Sequence, residues 1–162
     1  MNPLDFFADL LLRWRSKESK PLLEQAERLK REVSAHSLQE AKRLTSELLA
    51  DGRHVRAFRS PTSDEEEVLL EPLPTELKHL LSDYAAIELV YGDQRISRGD
   101  LGASTVQAGF IKVGRDMEFA EVAVRPGDEA IYVLAPGEDP ALEAPTIYHW
   151  LVLLWRLTGD SE

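Results

Sequence analysis

The sequence contains no cysteine. Disulfide staples, thiolate metal sites and thiol nucleophiles are excluded together, so packing has to hold the fold. Long apolar runs are missing too: the longest, residues 147–157, covers about eleven positions and includes His149 and Arg156, where a membrane-spanning helix needs about twenty. It reads as a buried helix. The four histidines, His36, His54, His79 and His149, never recur at the three- or four-residue spacing that sets two ligands on one helix face, so no zinc signature is present. No Gly-x-Gly-x-x-Gly, no Gly-Lys-Ser/Thr and no Gly-x-Ser-x-Gly elbow occurs, which leaves nucleotide binding and a serine nucleophile without their usual scaffolds. No cofactor is implied, and the chain is not read as an enzyme. Residues 1–12 lack the basic start, apolar stretch and small-residue cleavage site of a secretory signal, so a cytoplasmic location is expected.

Basic residues are the scarcer charge. Nineteen Lys and Arg stand against 29 Asp and Glu, a formal net charge of −10 over 162 residues, which repels nucleic acid and anionic lipid unless a local basic face overrides it. The imbalance is uneven: residues 1–59 hold 12 basic and 9 acidic side chains, and the remainder 7 and 20. Arg13, Arg15, Lys17 and Lys20 sit in the nearly balanced part, where a solvated helix face accounts for them. Neither nucleic acid nor a membrane is expected as a partner. At 43% apolar residues, with three Trp, four Tyr and five Phe, the chain can bury about two-thirds of its unfolded surface and sustain a core.

Helical periodicity dominates the first third. Asn2-Pro3 is a start signal, and Leu4, Phe7, Leu11 and Trp14 recur at helical spacing. From Pro21, the residues Leu22, Ala26, Leu29 and Val33 repeat the pattern. Ser37 and Glu40 have the spacing of a capping box, and Ala41, Leu44 and Leu48 follow until Asp51-Gly52 offers a stop. Whether these residues form a third helix or continue the second is open from the sequence. Residues 54–59 alternate as a short strand, 60–67 read as a polar loop and the seam of the chain, and 68–70 as a further strand. Pro74 opens a short helix with Leu77, Leu80, Leu81 and Tyr84 on one face. Strand signals then accumulate at 87–91, 110–113, 119–124 and 130–134, with Arg125-Pro126-Gly127-Asp128 as the turn of an antiparallel pair. The expected class is α+β: an antiparallel sheet of about four to six strands with helices against it. Residues 1–59 form an N-terminal helical segment in this reading, and residues 60–162 the sheet domain.

What remains for function is the acid. Asp64, Glu65, Glu66 and Glu67 form a run, Asp93 and Asp100 lie among turn residues, and Asp116, Glu118 and Glu121 follow a strand and could face one cleft. Consecutive residues in extended chain alternate direction and do not converge on a cation. Paired acids for proton transfer need a pocket that separates their pKa values, and no pattern provides one. No metal ligand and no catalytic residue is assigned. An acidic surface suits a basic protein partner, because complementary charge speeds encounter and selects partners, and these nine carboxylates are the candidate contacts. His149, beside Tyr148 in the last helix, reads as a satisfied core histidine. The runner-up is an assembly protein in which the apolar stripes of residues 3–17 and 21–50 pair with another chain.

Leu73-Pro74-Thr75-Glu76-Leu77, followed by Leu80, Leu81 and Tyr84, resembles the opening helix of the SUKH superfamily. Phe110-Ile111-Lys112-Val113-Gly114-Arg115-Asp116 is similar to its strand with a closing Gly and acidic turn. Residues 121–124 and Ala130-Ile131-Tyr132-Val133-Leu134 are similar to the two strands that follow, and residues 146–154 to the terminal helix. The resemblance covers roughly residues 70–157. It implies an α+β binding module with no catalytic residues. Many bacterial members resemble immunity proteins that neutralise a toxin by binding it, and eukaryotic relatives are linked to control of cell-wall synthesis. The function it implies is non-enzymatic protein binding, with an acidic surface occluding a basic toxin domain.

Overall fold

A computed structural model of the chain describes residues 20–90, 92–116 and 120–159. The helix expected over 3–17, Tyr91 and Glu118 lie outside the described residues. Among the described residues two separate helices come first, α1 (Lys20–Ser34) and α2 (Leu38–Asp51). Ser37 starts the second, its Oγ accepting the Glu40 N–H at 3.1 Å. Gly52 ends it in the left-handed region at φ 71°, where its N–H reaches the Leu48 carbonyl. Ala26, Leu29 and Val33 of α1 and Ala41, Thr45 and Leu48 of α2 are buried, because both helices pack on α5 (Ile147–Gly159). The stripe expected to seek another chain is therefore covered within this one over residues 26–48. His149 of α5 ties the layers together: its Nε2–H donates to the His36 carbonyl at 2.9 Å, which leaves Nδ1 to accept the Thr146 hydroxyl at 2.7 Å.

The strands expected at 54–59, 87–91, 110–113, 119–124 and 130–134 have counterparts, and three further short strands join them. β1 (Val55–Arg59), β2 (Tyr84–Leu89), β3 (Arg95–Ser97), β4 (Gly102–Ala103), β5 (Ile111–Arg115), β6 (Glu121–Val124), β7 (Ile131–Leu134) and β8 (Ala141–Ala144) form one antiparallel sheet. Its order is β1-β2-β3-β5-β6-β7-β8, with β4 pairing β5 alone. The class is α+β as read from the sequence, with eight strands among the described residues where four to six were expected. The 125–128 turn does join an antiparallel pair, β6 and β7. Residue 60 falls inside the sheet's connectivity, since β1 on its N-terminal side pairs with β2. One core cluster runs from Ala26 to Leu157.

Residues 60–67 are not wholly a loop, and 68–70 are not a strand. Ser63 caps a helix, α3 (Asp64–Leu70), through a complete box: its Oγ accepts the Glu66 N–H at 3.2 Å, and the Glu66 carboxylate accepts the Ser63 N–H at 3.0 Å. Four acids in the first turn also suit the positive end of the helix dipole. The next helix, α4 (Thr75–Asp83), stops one residue before Tyr84, which opens β2 instead of extending the helical face. Where β3 crosses β5, a Cβ on Gly114 would lie 2.0 Å from the Arg95 carbonyl oxygen, so only glycine allows the two backbones to approach. No helix among the described residues is long and apolar enough to cross a membrane.

Candidate functional site

The eight described carboxylates of the nine divide by what already holds them. Glu121 is buried and accepts Ser104 Oγ at 2.6 Å, Thr105 Oγ1 at 2.9 Å and the Thr105 N–H at 3.4 Å. It pins residues 104–110 over the outer face of the sheet, where Phe110, Ala123, Tyr132 and Leu134 form a second buried cluster. Asp116 is 2% exposed at the end of β5. Asp100 accepts Arg95 Nε at 3.0 Å and Ser97 Oγ at 2.6 Å. Burial raises the Asp100 carboxyl, but the Arg95 and Ser97 bonds outweigh it and hold the group below its ordinary value. Glu66 is occupied by the capping box, and the Ser63 N–H holds its carboxyl low. Asp64, Glu65, Glu67 and Asp93 remain exposed, Glu67 accepting the Thr62 hydroxyl at 3.2 Å. Of the expected contacts, only those on α3 form a group: three exposed acids in a single helical turn.

The outer sheet face is not acidic. Register places Arg56, Glu88, Arg95, Arg115 and Glu121 opposite one another in one row across five strands, and residues directly opposite share a face. Arg56 lies 3.6 Å from Glu88, and Arg95 pairs with Asp100. The row is therefore largely balanced, and the accessible negative charge of the candidate set is concentrated on α3.

A residue without any sequence signal fixes where α3 sits. Arg98 is 3% exposed. Its guanidinium donates to the carbonyls of Leu81 at 2.7 Å, Ser60 at 2.6 Å, Ser82 at 3.0 Å and Pro61 at 3.2 Å, with the Glu66 carboxylate 3.7 Å away. One buried fork thus joins the end of β1, the first turn of α3 and the last turn of α4, whose carbonyls carry the negative end of the helix dipole. Beyond this anchor α3 buries only Leu70, and Val68 and Leu69 are 67% and 46% exposed.

A second feature lies in the helix layer itself. Where α2 and α4 diverge above β1, they leave an open groove of about 660 Å³. Thr45, Ser46, Leu49 and Ala50 of α2 form one side, Leu80, Asp83 and Tyr84 the other; Ala57 and Arg59 of β1 lie between them, and Tyr148 of α5 completes the lining. Arg59 stacks on the Tyr84 ring at 4.9 Å and donates to its hydroxyl at 3.1 Å. Lys42 stands 5.5 Å from the centre of the Tyr148 ring and pairs with Glu76 at 2.8 Å. Burial, then the carboxylates of Glu76, Asp83 and Glu129, push the Tyr148 hydroxyl up to about 12, so it stays a neutral donor. Neither Asp116 nor Glu121 lines this groove. No protein-family model matches the chain, and no curated protein or solved structure matches it.

Proposed function

We propose that this protein is a non-enzymatic binding module that meets a basic protein partner through α3, in the manner of the SUKH-type immunity proteins its sequence pattern resembles. One observation carries the reading: α3 presents Asp64, Glu65 and Glu67 beside exposed Val68 and Leu69. Exposed apolar side chains next to a run of like charge suit a contact with an apolar centre and an ionic rim. A toxin acting on nucleic acid or another polyanion presents basic residues, and an acidic helix can cover them. Complementary charge of this kind acts mainly on the association rate, while the apolar pair sets how long the complex lasts.

Val68→Ser with Leu69→Ser separates the two contributions. The expected result is faster dissociation from the partner with little change in association rate. Unchanged dissociation would remove the apolar pair from the interface and with it the reading. The folded state tolerates the substitutions because both side chains are exposed.

A further inference from the structure

We infer that the groove between α2 and α4 is a binding site for a free α-amino acid with a large apolar side chain, its carboxylate held by Arg59 and its ammonium by Asp83. The volume of about 660 Å³ falls in the range of small-molecule sites, roughly 300 to 1,000 Å³. Its charges single out the ligand. Arg59 and Asp83 both line the groove, yet among the described residues they bridge neither each other nor any other opposite charge. The groove thus carries one unpaired charge of each sign in its lining. A dipolar head is matched at both ends.

Arg59 is prepared for this task. Stacking on Tyr84 and the bond to its hydroxyl engage only one donor of the guanidinium, leaving four N–H groups for a carboxylate with the side chain already oriented. The same stacking sets a cation on the Tyr84 ring, and Lys42 stands at the Tyr148 ring, so each ring already has a cation of the protein beside it. Arg59 lies opposite Tyr84 in the sheet register, the residue after Asp83. The two charged side chains thus start from neighbouring positions, which favours a ligand with both charges on one carbon over a long dipolar chain. Leu49, Leu80 and Ala57 in the same lining offer apolar surface to a side chain, and Tyr148 and Ser46 carry hydroxyls.

The site is independent of α3 and needs no protein partner, so it is tested on the isolated full chain. Leucine, isoleucine, methionine, phenylalanine, tyrosine and tryptophan are titrated to millimolar concentration, with binding read by amide chemical shifts and calorimetry. For whichever binds best, the amide lacks the carboxylate, the N-acetyl form lacks the ammonium, and the glycyl dipeptide separates the two charges. The expected result is saturable binding of at least one amino acid, with each analogue weaker by about tenfold or more. Arg59→Gln and Asp83→Asn each lower affinity by about the same factor, and Arg59→Gln abolishes discrimination between the acid and its amide. Both side chains are exposed, and unchanged melting temperatures certify the fold. Absence of binding by every amino acid overturns the inference, as does an analogue that binds as well as its parent or a variant with unaltered affinity. Loss of the α3 contact would leave these results unchanged.

Discussion

Arg98→Ala removes a buried fork that no hydrophobic packing argument would notice. The carbonyls of Ser60, Pro61 and Ser82 belong to exposed residues and regain water when the guanidinium leaves. The Leu81 carbonyl belongs to a residue with no exposure and loses a charge-assisted bond of 2.7 Å, about 2 to 3 kcal/mol. The vacated aliphatic stem adds about 1 kcal/mol. The sum, about 3 to 4 kcal/mol, is a large part of the 5 to 15 kcal/mol typical of a domain. Urea unfolding followed through the fluorescence of Trp150, 2% exposed in the core, reads it directly. Arg98→Met should recover about 1 kcal/mol by refilling the stem, leaving the deficit of the bonds. A loss below about 1 kcal/mol in Arg98→Ala would refute the assignment of Arg98 as the anchor of α3.

Three further substitutions test separate parts of the scaffold. Gly114→Ala drives a methyl against the Arg95 carbonyl and should cost about 3 kcal/mol or more, measured by the same unfolding curve; a neutral result would mean that β3 and β5 are not this close. Gln94 is 1% exposed and neither polar atom of its side chain is hydrogen-bonded, so Gln94→Met should be neutral or stabilise by about 1 to 2 kcal/mol, and a clear fall in melting temperature would reveal a partner for the amide. Asp100 has its pKa lowered on folding. Its contribution is therefore present above the unfolded value of about 3.9 and is lost as pH falls through the lower folded value. Asp100→Asn should lower stability at neutral pH and flatten the acid limb below about pH 4, and an unaltered limb would show that Asp100 does not contribute to it.

Local patterns were legible where a period or a cap spoke for itself, and the same rules misled where two of them competed. Ser37-x-x-Glu40 announced the start of α2, yet only half the box forms, because the Glu40 carboxylate binds Arg43 at 2.6 and 2.9 Å. The complete box is Ser63-x-x-Glu66, which carries the same spacing but precedes an acidic run with no apolar stripe. α3 is held by its cap and by Arg98, so burial periodicity gave no sign of it. β3 spans three residues, too short for alternation to register, and β8, Ala-Leu-Glu-Ala, has none of the β-branched or aromatic residues that mark β6 and β7. Asp100 and Glu121 looked like surface acid because composition counts charges without their partners, and Arg95 and Ser104 become neighbours of those acids only on folding. The groove draws on α2, β1, α4, β2 and α5, positions separated by about a hundred residues, and no local spacing encodes it.

The central question is whether α3 receives a basic partner. Affinity capture with the intact protein supplies that partner, and the decisive measurement is its association rate with wild type and with Asp64→Asn/Glu65→Gln/Glu67→Gln, from about 50 to 500 mM salt, roughly 14 to 4 Å of screening length. A basic partner on α3 requires a wild-type rate that falls steeply as salt rises, and a slower, flatter rate for the triple variant at equal stability. Equal rates for the two proteins across that range, or a wild-type rate indifferent to salt, would contradict it.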